Sequence, residues 1–136
     1  YYGFPVFGER GIKAAQDAGG RAVTAEARSF EPDHAMEQRL TDFLESCLPS
    51  AVGPVICTKT CLYTLPPDRD FIVGAVPGQD NIFMAAGAGH AFKFASWIGR
   101  TLAGLASGQA PTDEIAPFAA DRPVLKMRDP PRQYRI

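Results

Sequence analysis

Where an apolar run gives way to helical spacing, the chain reads Gly87-Ala88-Gly89-His90-Ala91-Phe92-Lys93-Phe94. A helix N-terminus presents unpaired backbone N–H groups and a partial positive charge of roughly half an electron unit. Glycines before it let a ligand approach the backbone closely. Phosphate, carboxylate or an electron-rich ring carrying negative charge is the ligand class that such a turn favours. A tight strand-to-helix turn without any ligand accounts for the same residues. The segment is not a dinucleotide fingerprint, because Phe92 stands at the third glycine position. Lys93, between two phenylalanines, is costly to place unless its ammonium meets an anion or water. Lys13 lies between Ile12 and Ala14, and either lysine could simply snorkel to solvent. Cys57 and Cys61 would stand roughly 13 Å apart on a strand, too far for a disulfide or a shared metal ion. His34 and His90 add no metal-ligand spacing to the cysteines, so no metal site is expected. Cys61 reads either as a packed thiol or as a reactive one.

These residues need elements to hold them. Residues 1–8 and 11–16 read as two short strands around a turn at Gly8-Glu9-Arg10-Gly11. Pro32-Asp33 opens the clearest helix, with Asp33 as N-cap. Met36, Leu40, Phe43, Leu44, Cys47 and Leu48 form one apolar stripe on a 3.6-residue period, and Pro49 ends it. This helix is expected to pack on a sheet with Cys47 as a buried thiol. Val55–Thr64 alternates and is rich in β-branched types, which predicts a strand with Val55, Cys57, Lys59, Cys61 and Tyr63 on one side. Phe71–Val76 predicts a second strand, followed by a turn at Pro77-Gly78-Gln79-Asp80. The apolar run Asn81–Ala86 suits a strand buried on both faces, as in parallel sheets. Phe94, Ile98, Leu102 and Leu105 then recur at helical spacing until Gly108. The stretch from Ala110 is proline-rich, and its last sixteen residues carry five basic and two acidic groups, as expected of a tail over the surface.

With 136 residues, 46% hydrophobic and net charge −1, the chain suits one domain or parts of two. Charge balance gives no pull toward nucleic acid, and no window approaches the ~20 apolar residues that span a bilayer. Three cysteines make no disulfide framework, so a reducing cytoplasm is the simplest home. The chain begins at Tyr1 in an aromatic run that reads as a strand preceded by something, hence as a piece of a longer protein.

Taken in order, Tyr1-Tyr2-Gly3-Phe4-Pro5, Gly11-Ile12-Lys13, Cys61-Leu62-Tyr63-Thr64 with Pro67-Asp68 and Phe71-Ile72, and Ala85 through Ser96 carry more information than any one of them. Their order and spacing resemble the C-terminal part of the monomeric sarcosine oxidase and N-methyltryptophan oxidase family, FAD-dependent amine oxidases of the D-amino-acid-oxidase-like group. The resemblance runs from Tyr1 to about Arg122. It implies a mixed α/β (α+β) fold from a two-domain FAD-binding oxidoreductase. Residues 1–52 would belong to an antiparallel substrate-binding domain. Residues 53–108 would return to the Rossmann-like FAD domain as its last strand and helix, and 109–136 would form the tail.

The resemblance further implies roles. Cys61 matches the cysteine that carries FAD through a thioether, with Tyr63 lining the same cavity. Gly87, Gly89 and His90 would lie by the flavin, where the helix N-terminus would stabilise negative charge on the reduced ring. Lys93 inherits the binding of the substrate carboxylate. Lys13 matches the lysine that helps flavin react with O2, an electrostatic role, and Tyr2 matches a substrate-pocket tyrosine. The implied reaction oxidises the C–N bond of an N-methylated or secondary amino acid and yields an imine and hydrogen peroxide.

Three departures qualify this. Asp17 stands where many relatives have a histidine, which puts sarcosine itself in doubt as substrate. The glycine turn is one residue shorter than the usual form. The family's N-terminal glycine fingerprint, which holds the ADP half of FAD, is not in the sequence, so this chain alone is expected neither to bind FAD tightly nor to turn over. A noncatalytic fragment or binding module, and a subunit completing its FAD site with another chain, are the competing readings.

Overall fold

The computed structural model describes residues 1–131; the last five residues of the expected tail lie outside the described residues. It is a mixed α/β structure with two small antiparallel sheets and three helices, in two compact units, Tyr1–Leu62 and the chain from Tyr63 onward.

In the first unit, β1 (Tyr2–Phe4) pairs antiparallel with β2 (Lys13–Ala15), Tyr2 opposite Ala15 and Phe4 opposite Lys13. Both strands are shorter than the sequence suggests. Pro5 has no N–H to give the ladder, and Gly8 turns the chain at φ +71°. Helix α1 (His34–Cys47) begins where expected: one Asp33 carboxylate oxygen accepts from the N–H groups of Ala35 and Met36, each at 3.1 Å. Pro49 starts a separate 3₁₀ turn, Pro49–Ala51.

The apolar stripe of α1 holds only in part. Met36, Leu40, Phe43 and Leu44 are half-buried, Tyr1 stacking on Phe43 with ring centroids 3.9 Å apart. Cys47, however, is exposed, against expectation. Neither β1 nor β2 packs extensively on α1, so the sheet expected to cover this helix is missing among the described residues and its last turn stays in solvent.

The strand predicted over Val55–Thr64 does not form; residues 52–66 are irregular. A strand needs a ladder partner, and side-chain bonds take its place here. Thr58 Oγ1 donates to the Glu37 carboxylate at 2.6 Å, and Arg28 Nη2 donates to the Thr60 carbonyl at 3.3 Å. Without a ladder nothing enforces the alternation that would have put Cys57, Cys61 and Tyr63 on one face.

In the second unit, β3 (Ile72–Ala75) and β4 (Phe83–Ala86) form an antiparallel hairpin, Ile72 opposite Ala86 and Ala75 opposite Phe83. The parallel sheet expected of the 81–86 run is not found among the described residues. The connection through Pro77–Asn81 is far too short for the crossover that a parallel pair requires. A 3₁₀ turn (Ala91–Phe94) leads into α2 (Ala95–Ala106). Its end is a Schellman motif: Gly108 adopts φ +83°, Gln109 N–H bonds to the Gly104 carbonyl and Gly108 N–H to that of Leu105, each at 3.0 Å. Phe71, Val73 and Ala88 form the core, and Ile98, Leu102 and Trp97 of α2 pack on it. The segment after Ala110 is mostly exposed and is anchored at two points. Ile115 is buried and Phe118 joins the core before the short helix α3 (Pro123–Lys126).

Candidate functional site

The turn after β4 closes through a 2.9 Å bond from His90 N–H to the Gly87 carbonyl. Its two central residues, Ala88 and Gly89, both have positive φ, +46° and +83°. That is the signature of a type I′ turn, in which alanine is strained. Ala88 is held there because its side chain is fully buried against Phe71 and Val73. Both glycines are required by the chain's own packing. A Cβ on Gly87 would collide with that of Ala91, and one on Gly89 would stand 2.5 Å from Cδ2 of the Tyr63 ring. Tyr63 and Gly89, assigned together from the sequence, are thus in contact.

His90 Nδ1 lies 3.0 Å from the Ala88 carbonyl. A carbonyl can only accept, so Nδ1 carries the proton and Nε2 is the nitrogen left to accept from a ligand. Next to it Phe71, Phe94 and Phe118 wall an open hollow of about 250 Å³ that His90, Lys93 and Asp70 also line. The Phe71 ring touches His90 at 4.9 Å, Phe94 at 5.3 Å and Phe118 at 5.8 Å between centroids. Lys93 Nζ lies 5.4 Å over the Phe94 ring, and no carboxylate among the described residues pairs with it. A cation over aromatic walls suits a small carboxylate or a flat electron-rich ring, and Nε2 can accept only from a donor elsewhere on such a ligand.

In the first unit the hairpin brings Tyr2 and Lys13 together. Lys13 Nζ lies 6.0 Å from the Tyr2 ring centroid and 5.6 Å from that of Phe4, because register places all three on one face. Cys61 is an exposed thiol in the irregular 52–66 segment. No group of three His, Cys, Asp or Glu among the described residues could hold a metal ion, and no helix there is long and apolar enough to cross a membrane.

Sequence reasoning missed the pair Asp68–Arg122. The guanidinium forks onto the carboxylate through Nε at 2.7 Å and Nη2 at 2.8 Å, and this bonding holds the Asp68 carboxyl below the usual range. The partners are 54 positions apart, and neither shows a local signal.

Residues 2–105 match the family described as FAD dependent oxidoreductase. The chain belongs to this family. It is 36% identical over 132 residues to monomeric sarcosine oxidase from Arthrobacter sp. (strain TE1826), covering 95% of this chain and 34% of that protein. It is 37% identical over 129 residues to the Bacillus sp. (strain NS-129) monomeric sarcosine oxidase, covering 93% and 33%. Against N-methyl-L-tryptophan oxidase from Citrobacter koseri it is 34% identical over 125 residues, covering 90% and 33%. The chain spans about a third of the length of the curated relatives it matches. The turn itself is already filled by Tyr63 and Ala91, while the hollow beside it, with its aromatic walls, the Lys93 cation and His90 Nε2, and with Asp70 also lining it, fits the edge of a flat ring such as a flavin's.

Proposed function

We propose that this chain supplies the flavin-facing and substrate-facing parts of an oxidase acting on the C–N bond of an N-methylated or secondary amino acid, with imine and hydrogen peroxide as products. The observation that carries this reading is the hollow shared by His90 and Lys93 beside the Gly87–His90 turn. When bound, the flavin would supply the redox chemistry, accepting the hydride equivalent from the carbon attached to nitrogen as C–N becomes C=N, with O2 as the final oxidant that yields peroxide. Lys93 holds the substrate carboxylate and so orients the α-carbon. His90, its tautomer set by the Ala88 carbonyl, offers Nε2 as an acceptor at the flavin edge, with Tyr63, Gly87 and Gly89 forming the adjacent turn. Cys61 holds the ring covalently through its thiol. Lys13, over the rings of Tyr2 and Phe4, is the fixed positive charge that assists reaction with O2, and Tyr2 faces the substrate.

In this reading residues 1–52 belong to the substrate-binding domain, 53–108 to the FAD domain and 109–136 to a C-terminal tail. The ADP half of FAD is held by a glycine fingerprint outside this sequence, in the same or another polypeptide. The test is peroxide formation by the full-length protein with sarcosine and N-methyl-L-tryptophan, followed by acid precipitation. Turnover of a secondary amino acid, with yellow colour in the pellet of wild type and in the supernatant of Cys61→Ser, is expected. A flavin-loaded protein oxidising neither compound would refute the activity, and wild-type colour in the supernatant would refute the Cys61 bond.

A further inference from the structure

We infer that Arg122 is the positioning residue of the His90–Lys93 hollow, setting the spacing of its aromatic walls without touching what binds there. The inference rests on the reading of that hollow as the carboxylate-binding site. A guanidinium has five N–H donors. In Arg122 every nitrogen is engaged: Nε and Nη2 with the Asp68 carboxylate, Nη2 also with the Asp70 carbonyl at 3.3 Å, and Nη1 with the carbonyls of Phe71 at 3.0 Å and of Phe118 and Ala119 at 3.3 Å. The Arg122 side chain is 9% exposed and that of Asp68 15%. No donor remains for a ligand, and Asp68 neutralises the charge. The group acts on the hollow only through the backbone it holds.

That backbone carries the walls. Phe71 enters β3 from one side, and Phe118 closes the 3₁₀ turn Ala116–Phe118 on the other. Arg122 binds the carbonyls of both residues, and their rings stand 5.8 Å apart. Phe71 also packs against His90 and Phe94, and the Phe94 ring is the surface over which Lys93 places its ammonium. Loosening the clamp therefore shifts Phe71, then Phe94 and His90, and widens the space in which Lys93 meets an anion. Lysine cannot substitute, because a point charge with one nitrogen cannot fork to a carboxylate and reach carbonyls on two separate segments.

The experiment uses full-length protein and two readouts: acetate affinity by calorimetry, which needs no turnover, and steady-state kinetics with sarcosine and N-methyl-L-tryptophan. Arg122→Lys is expected to weaken acetate about tenfold and to raise KM by a similar factor, with kcat falling less than threefold. In a Lys93→Met background, itself weakened toward acetate, Arg122→Lys is expected to add less than twofold. Asp68→Asn is the second variant, and the same signature is expected should Arg122→Lys fail to fold. Acetate affinity within twofold of wild type in Arg122→Lys or in Asp68→Asn would overturn the inference. So would an equal loss with and without Lys93, which marks general destabilisation. If Lys93→Met itself binds acetate as well as wild type, the carboxylate reading of the hollow falls, and this inference with it.

Discussion

Replacing Gly89 by alanine is expected to cost roughly 2–5 kcal/mol, and the structure divides that figure into two parts. Gly89 has φ +83°, where an L side chain costs about 1–2 kcal/mol. The added Cβ would also stand 2.5 Å from Cδ2 and 2.8 Å from Cγ and Cε2 of Tyr63, against an optimal carbon–carbon separation of about 3.5–4.0 Å. The ring must move by about 1 Å, and overpacking of this kind costs roughly 1–3 kcal/mol. Gly108 provides the control. It has the same φ of +83°, but a Cβ there meets nothing within 4 Å, so Gly108→Ala bears the conformational part alone. Urea unfolding of the full-length protein, followed by fluorescence, compares the two. Gly89→Ala should be the more damaging by roughly 1–3 kcal/mol, and combining it with Tyr63→Ala should return most of that excess as a favourable coupling. If the two glycine variants agree within about 0.5 kcal/mol, or the coupling is nil, Tyr63 does not rest on this turn.

Three further outcomes follow from other contacts. Asp33→Ala removes the oxygen that caps α1 and should cost about 1 kcal/mol, read as a lower thermal midpoint, while Asp33→Ser should cost much less. The Asp68 carboxyl is lowered in the folded state, chiefly by its hydrogen bonding to Arg122, so its contribution to stability is present above its unfolded pKa of about 3.9 and fades as pH falls through the folded value. Unfolding titrated from pH 7 down to 2 should show this decline setting in below about pH 4 in wild type and a flatter profile in Asp68→Asn, which starts lower at pH 7. Lys13→Met should slow reoxidation by O2 by about a hundredfold while changing flavin reduction little, as stopped-flow would read. Equal slowing of both half-reactions would remove Lys13 from the oxygen step.

The parts of this protein legible in its sequence are those whose hydrogen bonds close within a few residues. Asp33 caps the helix two and three positions on, Gly108 closes the Schellman motif over Gly104 and Leu105, and Pro77–Asp80 turns β3 back onto β4. The motif order was legible too, because the Tyr-Gly-Phe-Pro, Cys-x-Tyr-Thr and Gly-His-x-Phe-Lys-Phe blocks keep their spacing, and the family match over residues 2–105 agrees with it. Alternation at 55–64 misled, since β-branched residues favour a strand only when another strand lies alongside to take up the ladder. Cys47 misled for a similar reason: an apolar stripe says which face of a helix can be covered, not how far the cover extends.

Other features were settled by what lies across from a residue rather than beside it. His90 acquires its tautomer from a carbonyl, Lys93 its aromatic surface from Phe94, and the hollow its far wall from Phe118, some twenty-five positions downstream of Lys93. Arg122 and Asp68 pair over 54 positions, and no local propensity encodes such a meeting. Side-chain chemistry specifies what each group can bond; only the folded path of the backbone decides which groups come within reach.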